Sequence, residues 1–162
     1  MNSRLPALGP RGEGWVIAQF MLFAIIGAAG LRDGVMGGVP GSRGWLALLV
    51  GVGAIAGGGL LAARGSWDLR ASFSPFPRPV EGALLIETGA YRLVRHPIYG
   101  GLILAALGWG LVTSSTLALV GAGLLLLLFA AKGRHEEAWL GAIHPGYRAY
   151  QGRTKRLIPW VY

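Results

Sequence analysis

The chain has 162 residues, of which 53% are hydrophobic and only 14% are charged, and its mean hydropathy is +0.52. A soluble domain carries about 25% charged residues, so this composition excludes an ordinary soluble protein, a disordered chain and a nucleic-acid-binding protein, despite a net charge of +8. The chain contains no cysteine, which excludes disulfides, thiolate metal sites and cysteine nucleophiles.

Four apolar segments without charged residues predict an all-α integral membrane protein with four transmembrane helices. We place these helices at about residues 15–31, 45–63, 97–113 and 116–142. Only the polar run Thr113–Thr116 separates the last two segments, which predicts a C-terminal helical hairpin. Gly53 and Gly57 in the second segment have the spacing at which small residues let two membrane helices approach closely, so we expect them at a helix–helix contact.

Two polar segments complete a single membrane domain over residues 1–162: a connector at 64–96 and a C-terminal segment at 143–162. In the connector, a Thr88–Gly89 turn lies between two short apolar stretches. This pattern predicts a small β-hairpin over residues 83–94, lying on the membrane surface.

The distribution of positive charge predicts the orientation. Thirteen of the fifteen Lys and Arg residues fall in the N-terminal segment, in the connector, and from Lys132 to the end of the sequence. Since short cytoplasmic segments carry the positive excess, we expect both termini and the connector in the cytoplasm. The bias towards Gly, Ala, Leu and Arg indicates a prokaryotic inner or plasma membrane. A cleaved signal peptide is the alternative for the first apolar run, although that run is long for one.

The third predicted helix begins at Pro97, and two polar residues, Arg95 and His96, directly precede it. Proline at the first helical position places the free amides and the positive end of the helix dipole beside Arg95 and His96. This arrangement predicts a site for a carboxylate or phosphate at the cytoplasmic membrane face. The alternative is that Arg95 only anchors the topology and that His96 and Tyr99 are interfacial side chains.

The fourth predicted helix brings two carboxylates to the same level. Counting outwards from the hairpin turn, Pro97 lies level with Lys132, so Glu136 and Glu137 stand about 6 to 7 Å further into the cytoplasm. There they would face His96 and the arginines beside it. Cations for a carboxylate and an acid for an ammonium would form a receptor for a zwitterion; a solvated helix face is the alternative.

The combination of these residues resembles one family. Its motifs stand here as Arg95-His96-Pro97 with Tyr99 and Gly100, Glu136-Glu137 with Leu140, then Tyr147, Tyr150 and Pro159. This set, from Phe73 to the C-terminus, resembles the isoprenylcysteine carboxyl methyltransferases and their relatives, the phospholipid N-methyltransferases. The resemblance implies an integral-membrane methyltransferase with S-adenosylmethionine in a cytoplasmic pocket between the last helices and the C-terminal segment.

The resemblance also implies roles for ten residues. Those carried over as cofactor contacts are Tyr91, Val94, His96, Tyr99, Gly100, Glu137, Tyr147 and Tyr150. Arg95 and Glu136 are implied to lie near the reacting groups. No metal ligands are implied. Eukaryotic members have more membrane helices, so we expect the entrance for a lipid substrate to differ here.

These inferences predict an S-adenosylmethionine-dependent methyltransferase for a lipophilic small acceptor, with the carboxylate of an isoprenoid-type or prenylcysteine-like molecule preferred. Such a carboxylate is already ionised and needs no general base, whereas an amine acceptor would need His96 or Glu136 to take its proton. The expected partners are the bilayer and this acceptor, without nucleic acid. The alternatives are a phospholipid or amine N-methyltransferase, a nicotinamide-dependent membrane reductase, a non-enzymatic subunit or transporter, and a haem protein. The sequence does not decide O-, N- or S-methylation or the oligomeric state.

Overall fold

A computed structural model describes residues 8–36, 44–78, 82 and 84–158. These residues form five α-helices, namely α1 (Glu13–Met36), α2 (Trp45–Leu69), α3 (Pro97–Thr113), α4 (Thr116–Ile143) and α5 (Tyr147–Arg153), and two 3₁₀ turns, Arg70–Ser72 and Gly89–Arg92. The predicted all-helical membrane fold is confirmed. Pro159, which belongs to the resemblance, lies outside the described residues.

Three of the helices are long and apolar enough to cross a membrane: α1, α2 and α4, with 24, 25 and 28 residues. Helix α3 is also apolar but has 17 residues. Only Ser114 and Ser115 separate α3 from α4. Ser114 takes a left-handed φ of 51°, and the hydroxyl of Ser115 accepts the N–H of Ala118 at 3.2 Å, which caps α4. The predicted C-terminal helical hairpin is therefore confirmed.

Helices α2 and α3 run antiparallel with their backbones in contact. Gly51 and Gly58 of α2 are seven residues apart, and they face Gly108 and Gly101 of α3, which share that spacing. A Cβ at Gly58 would collide with the carbonyl oxygen of Gly101, and one at Gly51 would lie 2.9 Å from that of Gly108. Glycine is therefore required at both crossings, because any side chain would push the two helices apart.

The predicted contact through Gly53 and Gly57 is wrong. A Cβ at either position would meet no atom of the described chain within 4 Å. Gly53 and Gly57, four residues apart, lie on one face of α2. Gly51 and Gly58, which are seven residues apart and contact α3, lie on another face. Both patterns are present in the sequence, and only the position of α3 decides between them.

Helix α1 packs against the α3–α4 hairpin. The buried core between them contains Ile26 and Ala29 of α1, Ile103 and Ala106 of α3, and Ala118, Ala122, Leu125 and Phe129 of α4. The indole N–H of Trp109 donates to the carbonyl oxygen of Ile26 at 3.2 Å, which ties α3 to α1. The helices alternate in direction, so the start of α1, the end of α2, the start of α3 and the end of α4 share one end of the bundle.

Residues 84–94, the described part of the predicted β-hairpin, form no such hairpin, so that prediction is wrong. In place of a second strand, the chain makes the 3₁₀ turn Gly89–Arg92. The cause is Asp68, near the end of α2, whose carboxylate accepts the N–H of Ala90 at 2.8 Å and holds the turn against that helix. Val94 then forms a single parallel β-bridge with Lys155, which brings the C-terminal segment beside the start of α3.

Candidate active site

A cavity of about 170 Å³ opens at this shared end of the bundle. Its volume is many times what one water molecule requires, so it is large enough for a ligand. Seven of the ten predicted site residues line it: Tyr91, Arg95, His96, Tyr99, Glu136, Tyr147 and Tyr150. The structure therefore brings together residues from the connector, α3, α4 and α5 that are up to 59 positions apart in the sequence.

The other three predicted residues, Val94, Gly100 and Glu137, lie behind the cavity wall rather than in its lining. Val94 is buried in its bridge with the C-terminal segment. That segment passes directly over Gly100, where a Cβ would lie 3.1 Å from the carbonyl oxygen of Leu157. The structure thus gives Val94 and Gly100 packing roles, and cofactor contact by these three residues stays a prediction.

Glu137 is surrounded by cationic and imidazole groups. Its Oε1 lies 2.8 Å from Nε of Arg95 and 3.1 Å from Nε2 of His96, and its Oε2 lies 2.5 Å from Nη2 of Arg156. Only 5% of the Glu137 side chain is exposed. We call Arg95, His96, Glu137 and Arg156 the anchor cluster. Because these partners occupy both carboxylate oxygens, Glu137 serves as their buried counter-ion.

The anchor cluster also fixes the C-terminal segment over the start of α3. The backbone N–H groups of Arg95 and His96 donate to the carbonyl oxygens of Lys155 and Arg156, at 2.8 and 3.0 Å. The guanidinium of Arg95 donates in addition to the carbonyl oxygen of Thr154. One side of the cavity is therefore closed by residues that follow α5, and Arg95 contributes to both the cavity lining and this closure.

Glu136, the neighbouring carboxylate, has different surroundings. Its Oε2 accepts the hydroxyl of Tyr99 at 2.9 Å and lies 3.7 Å from Nδ1 of His96. The side chain is 26% exposed and lines the cavity. A carboxylate has about four lone-pair sites, so Glu136 retains capacity for a cationic or hydrogen-bond-donating ligand.

An aromatic stack supports this wall. The ring of Tyr99 lies nearly parallel to those of His96 and Phe129, with centroid distances of 5.1 and 4.5 Å. Stacking on both faces fixes the phenol, so its hydroxyl orients Glu136 towards the cavity.

Lys132 is a site residue that the sequence interpretation used only as a positive charge. It is 1% exposed and lines the cavity, and its Nζ donates to Oε1 of Gln19 and to the carbonyl oxygen of Pro75, both at 2.7 Å. In the described part of the chain no carboxylate forms an ion pair with it. A lysine directly after a long apolar run, four residues before Glu136, was the signal that could have identified it.

Lys132 belongs to a row of cavity-lining residues along α4. The row continues at four-residue intervals, and its members are Lys132, Glu136, Leu140 and His144, which follows the last residue of the helix. We call this row the cavity face. Nε2 of His144 is buried without a hydrogen-bond partner in the described chain, as is the hydroxyl of Tyr147 nearby.

The tyrosines of the connector and α5 act as neutral groups. Burial raises the pKa of Tyr91 and of Tyr147 well above the usual value, and that of Tyr150 to about 12. The hydroxyl of Tyr150 donates to the carbonyl oxygen of Tyr91 at 2.6 Å. These phenols therefore hydrogen-bond or pack without serving as proton acceptors at neutral pH.

Comparison with known proteins agrees with this geometry. A family model described as phospholipid methyltransferase matches residues 46–145, more than half of the chain, including α2 from its second residue, α3, α4 and the whole cavity face. A search of the curated proteins gives no match. The sequence-based resemblance to this group of related methyltransferases is confirmed at the level of the family. The chain therefore belongs to the phospholipid methyltransferase family, and this membership implies a membrane methyltransferase.

Proposed function

We propose that this protein transfers a methyl group from S-adenosylmethionine to a lipophilic acceptor with an anionic group, at the cytoplasmic face of the membrane. The observation that carries the proposal is that two neighbouring side chains on the cavity face have binding capacity that the chain does not use. Glu136 is a carboxylate with free acceptor capacity, and Lys132, one helical turn away, is a buried cation that forms no ion pair in the described chain.

The cofactor suits the Glu136 end of the cavity. S-adenosylmethionine supplies a methyl group on a positively charged sulfur, and its amino-acid part carries an ammonium and a carboxylate. Glu136 provides an acceptor for the ammonium, and the Arg95 guanidinium in the same lining provides positive charge for the carboxylate. Glu137 supports this arrangement by pairing with Arg95, and its own contact with the cofactor stays a prediction.

The acceptor suits the Lys132 end. The cavity there is bounded by apolar side chains, including those of Phe73, Phe76 and Leu102. Burying a cation that forms no direct ion pair costs free energy, so an anionic ligand would be stabilised beside Lys132. A lysine cation would repel an ammonium, which favours a carboxylate of an isoprenoid-type or prenylcysteine-like acceptor over a bare amine.

The residues have separate roles in an in-line displacement. Lys132 orients the acceptor anion, Glu136 positions the donor, and the apolar walls exclude water from the reacting atoms. The acceptor oxygen would form a bond to the methyl carbon while the carbon–sulfur bond breaks, and the electron pair of the broken bond would stay on sulfur. A carboxylate acceptor enters ionised, so the chain needs no general base for this reaction.

Methylation of a phospholipid amine is the second candidate, and the description of the matching family favours it. In that reaction the lipid phosphate would take the place beside Lys132, and the amine would lose a proton to Glu136 or His96. The two candidates share the donor site and differ in the acceptor.

Two measurements test the proposal on the purified protein in detergent. Calorimetric titration is expected to show saturable binding of S-adenosylhomocysteine and none of NADPH; binding of NADPH alone would instead indicate a reductase. Transfer of tritiated methyl groups to N-acetyl-farnesylcysteine, and not to phosphatidylethanolamine vesicles, would then select the carboxylate acceptor. The reverse selectivity would select the second candidate.

A matched pair of variants locates the donor site. Glu136→Gln is expected to weaken S-adenosylhomocysteine binding about tenfold or more, the scale of one hydrogen bond to a charged group. Glu87→Gln removes a carboxylate paired with Arg153 outside the cavity lining and is expected to leave binding unchanged. Equal affinities in the two variants would contradict the placement of the ammonium at Glu136.

A further inference from the structure

Gln19 is the only residue with an amide, hydroxyl or charged side chain in the first apolar segment, residues 15–31. It lies on α1 at the end of the bundle that contains the cavity, lines that cavity and is only 7% exposed. A buried amide costs free energy unless it has a hydrogen-bond partner. The partner of Gln19 is Lys132, whose Nζ donates to its Oε1 at 2.7 Å.

The hydrogen-bond and ring partners of the Lys132 ammonium within the described residues are all neutral. Besides the amide of Gln19, the carbonyl oxygen of Pro75 accepts from Nζ at 2.7 Å. The ring centroids of Tyr99 and Phe129 lie 5.2 and 5.8 Å from Nζ, close enough for cation–π attraction. These partners hold the ammonium at one place in the cavity without neutralising its charge.

An amide at position 19 has a different consequence from a carboxylate. Glutamine and glutamate have the same length, and both can present an oxygen to an ammonium. A glutamate would form a buried ion pair, so the charge of Lys132 would be used inside the chain. An ammonium has three N–H groups, and Gln19 and Pro75 accept from it without charge, so one N–H and the positive charge remain available to a ligand.

We propose that Gln19 is a positioning residue that makes the cavity selective for an acceptor with an anionic oxygen group, because it fixes the ammonium of Lys132 without neutralising it. This inference rests on the proposed function, which places the acceptor anion beside Lys132. Gln19 lies outside residues 46–145, which the family model matches, so membership of the family implies no role for it. Acceptor selectivity then depends on α1, the helix that precedes the matched region.

A carboxylic acid and its methyl ester differ in the property that Gln19 is proposed to preserve. The ester retains a carbonyl oxygen but has no charge to pair with Lys132. The acid should therefore bind more tightly than the ester, and the ratio of the two affinities measures how much charge Lys132 offers to a ligand.

Calorimetric titration of the purified protein in detergent measures this ratio with N-acetyl-farnesylcysteine and its methyl ester. The protein is first saturated with S-adenosylhomocysteine, which has no methyl group to transfer, so binding is observed without turnover. In the wild type the acid is expected to bind at least about tenfold more tightly, the scale of one hydrogen bond to a charged group. Farnesyl phosphate in the same titration distinguishes a phosphate from a carboxylate as the anionic group.

Two substitutions separate the charge at position 19 from the hydrogen bond. Gln19→Glu keeps an acceptor for Lys132 and adds a negative charge, so the preference for the acid should fall about tenfold or disappear. Gln19→Met keeps a side chain of similar length and adds no charge, so the preference should stay within about threefold of the wild type. Its kcat should fall about threefold or more, because the acceptor is less well oriented. Both variants should bind S-adenosylhomocysteine within about threefold of the wild type, which also shows that they are folded.

The outcomes distinguish this inference from the proposed function. Wild-type protein that does not bind S-adenosylhomocysteine, or that prefers neither anionic ligand over the ester, would overturn both. A wild-type preference that persists unchanged in Gln19→Glu would overturn the role of Gln19 alone. Equal losses of preference in the two variants would also overturn it, since the hydrogen bond rather than a neutral partner would then determine selectivity. Tighter binding of farnesyl phosphate, lost in Gln19→Glu, would support the role of Gln19 and select an acceptor that carries a phosphate.

Discussion

Two adjacent carboxylates on α4 occupy opposite environments. Glu137 points into the anchor cluster, where two arginines and a histidine contact its oxygens and 5% of its side chain is exposed. Glu136 lies on the cavity face, accepts one hydrogen bond from Tyr99 and remains 26% exposed. Successive residues on a helix point about 100° apart, so one sequence pair serves two regions of the molecule.

The difference indicates which charges maintain the fold and which are available to a ligand. In the anchor cluster, the negative charge and its partners lie within the chain and join α3, α4 and the C-terminal segment. On the cavity face, Lys132 and Glu136 leave binding capacity unused, and Nε2 of His144 has no hydrogen-bond partner in the part of the chain that the structure describes. We therefore expect substitutions in the anchor cluster to reduce stability, and substitutions on the cavity face to reduce binding or turnover.

The largest expected effect is the loss of stability in Glu137→Gln. Removing this charge breaks the ion pairs that Glu137 forms with the largely buried side chains of Arg95 and Arg156, which should lower the free energy of unfolding by about 3 to 5 kcal/mol. Thermal unfolding in detergent and proteolysis of the C-terminal segment would measure it.

Glu87→Gln is the matched control for that prediction. Its partner, Arg153, has a side chain that is 65% exposed, so loss of the pair should change stability by less than about 1 kcal/mol. Equal stability of the two variants would mean that the anchor cluster does not hold the C-terminal segment.

Arg95→Lys is expected to have the next largest effect. The guanidinium contacts Glu137 through Nε and the carbonyl oxygen of Thr154 through Nη1, a forked geometry that an ammonium cannot reproduce. We expect a loss of about 1.5 to 3 kcal/mol in unfolding free energy, together with reduced methyl transfer. An arginine needed only for orientation in the membrane would be replaced by lysine without loss, because the positive-inside rule counts both residues. Unfolding and turnover measured on one preparation decide between these outcomes.

Lys132→Met tests the cavity face. Methyl transfer to a carboxylate acceptor should fall at least about tenfold, or about 1.4 kcal/mol, while the affinity for S-adenosylhomocysteine stays within about threefold. The loss of stability should be smaller than in Glu137→Gln, because a buried cation is removed along with its two hydrogen bonds. A large loss of cofactor affinity with normal turnover would place the donor, rather than the acceptor, beside Lys132.

The sequence alone predicted the helices and the level of the site along them. Apolar runs identify membrane helices because the bilayer excludes charge over a fixed thickness. Counting residues outwards from the hairpin turn placed Glu136 and Glu137 opposite His96, and the structure joins each carboxylate to that part of the chain. Rise per residue is a fixed property of the α-helix, so depth can be counted without knowing the tertiary structure.

Rotation about the helix axes could not be predicted in the same way. The sequence did not show that Glu137 points inwards while Glu136 faces the cavity, nor that α2 contacts α3 through Gly51 and Gly58. These choices depend on which neighbouring helix each face meets. The β-hairpin prediction failed for a similar reason, because it too depended on a contact with a neighbouring helix. The hydrogen bond from the N–H of Ala90 to Asp68 holds a turn against α2 where the sequence predicts a strand.

The smallest expected effects come from removing the hydroxyl groups of two tyrosines at the site. The hydroxyl of Tyr150 donates to the carbonyl oxygen of Tyr91, whereas that of Tyr147 has no hydrogen-bond partner among the described residues, so at neutral pH Tyr150→Phe should cost about 1 kcal/mol and Tyr147→Phe nothing. Burial raises both pKa values above the usual value, that of Tyr150 to about 12. A raised pKa contributes stability that is fully present below the unfolded-state value, about 10, and is lost as the pH rises towards the folded-state value. Wild-type stability should therefore fall above about pH 10, and each Phe variant should remove about 1 kcal/mol of that fall by pH 11. Melting curves of the three proteins across this range measure the difference, and parallel curves would show that these phenols are not shielded from water.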